Sequence, residues 1–262
     1  MPLTAFQRWV AHTLAAHRKP ESHLAGGAVI NRADTSLRYS HDLDIFHDAA
    51  DRVATYAEVD AKALGEAGCS VEWALRQAGF FRAEVGRGED RLRLDWTTDS
   101  AFRFFPVQPD EDFGYCLHPA DLATNKVLAM AGRSEIRDFL DILYLDEAFL
   151  GLGALMWAAC GKDAGYTPAL LLDQMNRHAR FQESDLKGEN LARPVDLREL
   201  KRQWLAAQDR ATILFASLPE EDLGCLYLGP DNQPVTPDPD NVQFPQLKRH
   251  FGSVGGAWPK LS

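Results

Sequence analysis

The chain is organised around the stretch Arg38-Tyr39-Ser40-His41-Asp42-Leu43-Asp44-Ile45-Phe46, which places two aspartates one residue apart. In a β-strand, residues i and i+2 point to the same side. Asp42 and Asp44 are therefore expected to present their carboxylates together, while Leu43 and Ile45 point into a core. Two carboxylates this close repel each other unless a positive charge lies between them. Because Mg²⁺ prefers oxygen ligands and is held by one or two carboxylates together with substrate phosphates, the pair predicts a magnesium site.

A glycine pair upstream predicts a place for those phosphates. Leu24-Ala25-Gly26-Gly27 interrupts a short apolar stretch and is typical of a strand-to-helix turn. The start of a helix offers unpaired backbone N–H groups and the positive end of the helix dipole, both of which favour anions. Gly26 and Gly27 are therefore candidate nucleotide-binding residues. Arg38 is a further candidate, although its guanidinium suits a phosphate and a neighbouring carboxylate equally well.

A third acidic residue lies in a later strand. The stretch Arg91-Leu92-Arg93-Leu94-Asp95-Trp96 alternates strictly between polar and apolar residues, which is typical of a half-buried strand. Its polar side carries Arg93 and Asp95. Three carboxylates converging from adjacent strands are what a two-metal site for phosphoryl or nucleotidyl transfer requires. We therefore expect two Mg²⁺ ions held by Asp42, Asp44 and Asp95.

Composition limits the classes of protein to consider. The chain has 262 residues, 45% of them apolar, and a net charge of −10, so any contact with nucleic acid must come from a local basic patch. The four cysteines are scattered without a CxxC pair, which favours reduced structural thiols and a cytoplasmic protein. The chain contains no HExxH, GxSxG or Walker motif, which argues against a zinc hydrolase, a serine hydrolase and a P-loop enzyme.

Apolar periodicity and capping signals predict the secondary structure. A first helix is expected over 4–17, and further helices over 119–131 and 138–150. Asp48, Thr167 and Asp196 are N-cap candidates for helices that end near residues 68, 180 and 218. Several strands are expected over 80–105.

These elements predict an α+β fold in three parts. The first part, residues 1–115, combines strands and helices, and the second, residues 116–218, is expected to be all helical. The third part, residues 219–262, is rich in proline and glycine. We expect irregular structure there, with one short hairpin near residues 226–228.

Taken in order, several motifs resemble a known family. They are Gly-Gly, then Arg-x-Ser-x-Asp-Leu-Asp, then Leu-x-x-x-Lys ending at Lys126, followed by Arg137-Asp138-Phe139-Leu140-Asp141. A helical Lys or an Arg-Asp pair alone is typical of a solvated surface. Over residues 24–147 the combination resembles the AbiE-type toxin nucleotidyltransferases of the DNA polymerase beta-like superfamily. The resemblance implies a nucleotidyltransferase-like mixed sheet flanked by helices, and an enzyme that moves a nucleotide from an NTP to an acceptor with release of pyrophosphate.

The resemblance also implies roles for individual residues. Asp42 and Asp44 hold magnesium, the glycine pair contacts phosphates, and Arg38 and Ser40 fit the family pattern around the acids. By the same resemblance, the helical Lys126 binds the triphosphate, and either Asp138 or Asp141 is needed for activity; the motif does not choose between them. In the superfamily a serine often follows the first glycine, at the position where this chain has Gly27. The next residue, Ala28, carries no hydroxyl either, so backbone N–H groups must contact the phosphates here.

The acceptor does not follow from the residues themselves. The resemblance implies transfer to tRNA 3′ ends by a toxin with a cognate antitoxin. One alternative is the same fold acting on a small molecule or a protein, and another is a non-catalytic module that binds nucleotide. None of these interpretations requires a membrane, because no apolar run is long enough to span one.

Overall fold

The computed structural model describes residues 3–259, so residues 1–2 and 260–262 of the first and third predicted parts lie outside it. Up to His118 the elements in chain order are α1 (Ala5–Ala15), β1 (Ser22–Ala25), α2 (Gly26–Ile30), β2 (Asp42–His47), α3 (Ala50–Glu66), β3 (Ser70–Gln77), β4 (Phe80–Arg87), β5 (Asp90–Thr98), β6 (Phe102–Arg103), β7 (Gln108–Asp110) and β8 (Gly114–Cys116). They continue with α4 (Pro119–Gly132), α5 (Ile136–Ala148), α6 (Leu152–Ala159), α7 (Pro168–His178), α8 (Glu183–Leu186), α9 (Leu197–Ser217), β9 (Cys225–Leu228), β10 (Lys248–Phe251) and β11 (Ser253–Val254), with short 3₁₀ helices at Glu220–Asp222 and Phe244–Gln246.

The first of two compact units contains the residues up to Ala101 together with Pro106–His118. It is built on a seven-stranded sheet with the order β3-β4-β5-β2-β1-β8-β7. Strand β2 runs parallel to β5, and β1 runs parallel to β8. The other neighbouring strands are antiparallel. The sheet is therefore mixed, and the predicted α+β class is confirmed.

Alternation along the central strands gives this sheet one apolar and one polar face. Leu43 and Ile45 of β2 and Leu94 and Trp96 of β5 are almost fully buried, because helix α3 lies over that face. The indole Nε1–H of Trp96 donates to Oδ2 of Asp60 on α3 at 2.8 Å. Burial of these side chains is the main force that holds helix and sheet together. The polar side chains of β2 and β5 consequently face away from α3.

The second unit contains Phe102–Phe105 and the residues from Pro119 onward, and most of it is helical. All eight residues of α6 are buried, as expected for a helix that is apolar on every side. Thr167 caps α7 by accepting from the backbone N–H of Leu170, and Asp196 caps α9 by accepting from the N–H of Arg198. These two capping predictions are confirmed. The prediction for Asp48 is wrong, since α3 begins at Ala50 with Ala49 at its N-cap and no capping side chain.

The prediction of an all-helical second half is only partly right. Strand β9 lies where a short strand was expected, but it pairs with β10, about twenty residues later, instead of closing a tight hairpin. Strand β11 pairs with β6. All four residues of β9 are buried, and Tyr227 packs with Trp157 and Leu218 in a local core. The partner strand comes from the Pro-rich segment, where no apolar alternation marks it in the sequence.

Between residues 3 and 259, none of the helices is both long enough and apolar enough to traverse a lipid bilayer.

Candidate active site

The glycine pair lies directly against the acidic strand. Strand β1 ends at Ala25, which is paired with Asp44 of β2, and α2 begins at the next residue. Gly26 has φ +71°, a left-handed conformation that favours glycine. A Cβ added at Gly26 would lie 2.3 Å from Oδ2 of Asp44. The predicted strand-to-helix turn is therefore present, and it brings bare backbone next to one of the predicted metal-binding carboxylates.

The second glycine lies against the residues that precede the acids. A Cβ at Gly27 would be 2.7 Å from Nη2 of Arg38 and 3.2 Å from Oγ of Ser40. The Ser40 hydroxyl lies 3.0 Å from the carbonyl oxygen of Asp42 and 3.2 Å from its Oδ1. Because α2 has only five residues, it offers an anion the N–H groups of its first turn rather than a long dipole. Gly26, Gly27, Arg38 and Ser40 thus surround the pair on β2.

Strand pairing brings the third acid into line with the first two. In the parallel pair of β2 and β5, Asp44 lies opposite Asp95 and Asp42 lies opposite Arg93. In the antiparallel pair of β4 and β5, Arg82 lies opposite Asp95. Partners in register point to the same face of a sheet. Asp44, Asp95 and Arg82 therefore lie side by side in one row across the polar face.

Two arginines bind these carboxylates. Arg82 holds Asp95 with both arms of its fork, with Nε 2.7 Å from Oδ1 and Nη2 2.6 Å from Oδ2. Arg93 forms an ion pair through Nη2 with Oδ2 of Asp42. The pKa of Arg82 is raised, chiefly by its hydrogen bonds to Asp95, with further attraction from Asp42 and Asp44. The three carboxylates are therefore close enough to act on the same guanidinium.

The donor set of the β2 pair fits Mg²⁺. Asp42 and Asp44 offer hard carboxylate oxygens beside backbone N–H groups, which suits a metal bound by one or two carboxylates plus substrate phosphates. Across residues 3–259, no group of three or more His, Cys, Asp or Glu side chains lies in a metal-binding arrangement.

The other predicted residues form a separate cluster in the second unit. Nζ of Lys126 on α4 lies 2.9 Å from Oδ1 of Asp138 and 2.9 Å from Oδ2 of Asp141, both on α5. Nε of Arg133 lies 2.7 Å from Oδ2 of Asp138. Burial alone would raise the pKa of Asp138, but Lys126 and Arg133 outweigh it and lower that pKa to about 2. Both aspartates contact Lys126, so the geometry does not distinguish which of the two is needed for activity.

Sequence reasoning missed the arginines that bind the acids. Arg93 shares the polar side of the alternating stretch with Asp95, and that alternation was the one signal that could have placed it near the site. Nothing local marks Arg82, because its contact with Asp95 depends on the register between β4 and β5. The contact between Arg133 and Asp138 is different in this respect, because only five residues separate the two in the sequence.

Comparison with known proteins gives a family and a fold. The model of the nucleotidyl transferase AbiEii toxin family, type IV toxin–antitoxin system, matches residues 12–218. The crystal structure of JHP933 from Helicobacter pylori is similar with a TM-score of 0.50 and 17% identity, over 80% of this chain and 90% of that chain. MenT4, a nucleotidyltransferase toxin from Mycobacterium tuberculosis H37Rv, is similar with a TM-score of 0.57 and 15% identity, over 82% of this chain and 83% of that chain. At such identities the two structures support the fold alone. A comparison with curated proteins found no match.

Proposed function

Because the chain belongs to the AbiEii family of nucleotidyltransferase toxins, we propose that it transfers a nucleotide from an NTP to an acceptor hydroxyl, releases pyrophosphate and depends on Mg²⁺. The observation that carries this proposal is the contact between the Gly26 turn and the Asp44 carboxylate. This contact places backbone N–H groups, which can bind phosphates, beside carboxylate oxygens, which can bind the Mg²⁺ that accompanies a triphosphate.

The candidate site residues of the first unit have the following parts in the proposed reaction. The N–H groups at Gly26 and Gly27 bind the triphosphate, and Asp42 and Asp44 hold the metal. Bound Mg²⁺ supplies positive charge that neutralises the phosphate oxygens. Ser40 fixes the orientation of Asp42 through its hydroxyl. The acceptor hydroxyl then loses its proton to water and attacks the α-phosphorus, and the new P–O bond forms as the bond to the departing pyrophosphate breaks. The acceleration comes from positioning and electrostatic stabilisation.

The second unit contributes residues whose roles rest on the family resemblance. Lys126 is proposed to bind the triphosphate, and Asp138 or Asp141 to be needed for activity. The structure supports a positioning part for the two acids, because both bond to the Lys126 ammonium and hold it in one place. Activity measured for Asp138→Asn and Asp141→Asn separately tests which acid matters.

For the acceptor, we propose tRNA 3′ ends, with a cognate antitoxin as the protein partner and the cytoplasm as the compartment that holds tRNA and NTPs. This rests on the family resemblance. An acidic chain needs a locally positive groove to bind RNA, so turnover on tRNA should weaken steeply as salt rises. Turnover on a small acceptor should change little, and that contrast separates the two acceptor classes.

The test is labelling with each α-labelled NTP, Mg²⁺, and either purified tRNA or a cell lysate. We expect one NTP to label tRNA, Asp44→Asn to abolish labelling, and EDTA to do the same. Asp90→Asn is the matched control, since Asp90 is an exposed acid at the start of β5. Labelling of a protein or a small molecule would favour the second acceptor class. Equal labelling by the wild type and Asp44→Asn would reject the mechanism, and nucleotide binding without any labelling would favour the binding module.

A further inference from the structure

We propose that Arg82 takes the place of a second metal ion, so that the site holds one divalent cation at Asp42 and Asp44, and Asp95 is not a metal ligand. This inference rests on the proposed function and deepens it. It also departs from the expectation of two ions drawn from the three acids in the sequence.

Arg82 is fixed in line with the three carboxylates. It is the register partner of Asp95, which is itself the register partner of Asp44. Both oxygens of Asp95 are engaged by the Arg82 fork, at 2.7 and 2.6 Å. The guanidinium also lies over the ring of Phe80, 5.3 Å from its centroid, and this contact restrains it further. A bidentate pair of this kind is among the strong hydrogen-bonded contacts of proteins.

The ion pairs of Asp42 and Asp95 differ in how many carboxylate oxygens the arginine engages. Arg93 bonds to one oxygen of Asp42, and the Ser40 hydroxyl lies near the other. A metal can exchange with a single-oxygen contact more easily than it can open a two-oxygen fork. The two carboxylates are similarly buried, with the side chain of Asp42 9% exposed and that of Asp95 7% exposed, so the pairs differ in their number of bonds and not in burial. A metal that replaced Arg82 would therefore have to break both bonds to a nearly buried carboxylate.

The charge of the cluster also fits a single ion. The carboxylates of Asp42, Asp44 and Asp95 are balanced by three guanidiniums, those of Arg82 and Arg93 and that of Arg38 beside Gly27. An arginine in a protein keeps its proton, so this balance is permanent. One divalent ion gives the cluster a net positive charge, which suits a polyanionic triphosphate. A second ion beside a fixed guanidinium would be repelled by it.

The chemistry that follows is electrostatic. A guanidinium supplies positive charge and N–H donors but coordinates no oxygen. Arg82 is therefore a positioning residue: it neutralises Asp95 and holds that carboxylate in one orientation on the face where transfer takes place.

The experiment counts bound Mn²⁺ by electron paramagnetic resonance and calorimetry, with each of the four α,β-methylene NTP analogues. We expect one ion per wild-type chain and one for Asp95→Asn, because Asp95 is not a ligand; the affinity of the variant should be lower, because Arg82 loses its counter-charge. Arg82→Gln should raise the count to two by freeing Asp95, whereas Arg82→Lys should keep it at one because the charge remains. Arg91→Gln is the matched control, since Arg91 lies on the same strand as Asp95 and donates to backbone carbonyls.

The outcomes separate this inference from the function it rests on. Two ions per wild-type chain, with one lost in Asp95→Asn, would overturn the role of Arg82 and leave the nucleotidyltransferase mechanism intact. A wild-type chain that binds neither Mn²⁺ nor any analogue would reject both. Should Arg82→Gln fail to fold, the comparison of the wild type with Asp95→Asn still decides, because a one-ion site predicts the same count for both chains and a two-ion site predicts that the variant loses one ion.

Discussion

The backbone of Gly26 lies so close to the carboxylate of Asp44 that a methyl group at residue 26 would come within 2.3 Å of Oδ2. The same glycine has φ +71°. Two separate features therefore exclude a side chain there, the left-handed backbone and the neighbouring acid. Gly88, in the turn between β4 and β5, has φ +62°, but a Cβ added there would meet no atom within 4 Å, so it shares only the first feature.

Gly26→Ala and Gly88→Ala should therefore lose similar amounts of stability, whereas only Gly26→Ala should lose much activity. Each substitution places alanine in a left-handed conformation, which costs about 1–2 kcal/mol. Gly26→Ala also displaces Asp44, and a shift of about 1 Å at reacting groups can cost about 100-fold in rate. Urea denaturation and nucleotide-labelling rates measure the two effects. Equal rates for the two folded variants would contradict the proposed contact between turn and acid.

The buried ion pair of the first unit predicts a large loss of stability. Nη2 of Arg18 lies 2.5 Å from Oδ1 of Asp60, both side chains are fully buried, and Asp60 also accepts from Trp96. Asp60→Asn leaves the Arg18 charge buried without its counter-ion, which should cost about 3–5 kcal/mol. Tryptophan fluorescence during urea denaturation checks this value.

A neighbour on the same helix is the control for that substitution. Glu58 pairs with Arg76, and both side chains are 51% exposed. Exposed pairs contribute below about 1 kcal/mol, so Glu58→Gln should leave the unfolding midpoint nearly unchanged. Similar losses for the two variants would show that burial does not set the strength of these pairs.

The low pKa of Asp138 predicts a defined pH dependence. Its pKa falls from 3.8 to about 2 in the folded chain, so the folded state binds this proton more weakly than the unfolded state does. The stabilisation is complete above the ordinary pKa and is lost as the pH falls through the folded value. Asp138→Asn should therefore cost roughly 2 kcal/mol at neutral pH. The difference from the wild type should shrink as the pH falls from 4 towards 2; a constant difference in urea titrations would contradict this account.

The cysteines should be unreactive in the folded protein. Cys69, Cys116, Cys160 and Cys225 are all buried free thiols. Burial raises the pKa of the Cys116, Cys160 and Cys225 thiols to about 12, so almost no thiolate, the reactive form, exists near pH 8. Ellman's reagent should label them slowly in buffer and fully in denaturant. Fast labelling of the folded chain would show that at least one thiol is accessible.

Local patterns predicted the parts of the site that depend on one element at a time. Alternation along β2 is enough to place Asp42 and Asp44 on one side, since the pleat of a strand fixes that relation. The caps at Thr167 and Asp196 were predictable for the same reason, because a cap bonds to an N–H two or three residues away. The prediction of a cap at Asp48 was wrong, since the chain continues as strand to His47 and the helix begins only at Ala50, with Ala49 at its N-cap.

The sequence by itself determined the α+β class, the strand-to-helix turn at the glycine pair, the two carboxylates on one side of β2 and the family motifs, because each of these depends on patterns within single elements. Only the tertiary structure decided what the carboxylates contact. Asp95 reaches Asp44 through a parallel pairing of strands separated by α3, β3 and β4. Arg82 reaches Asp95 through the register of β4 on β5. Such contacts depend on how distant segments align when the apolar face is buried, and no local pattern records that alignment.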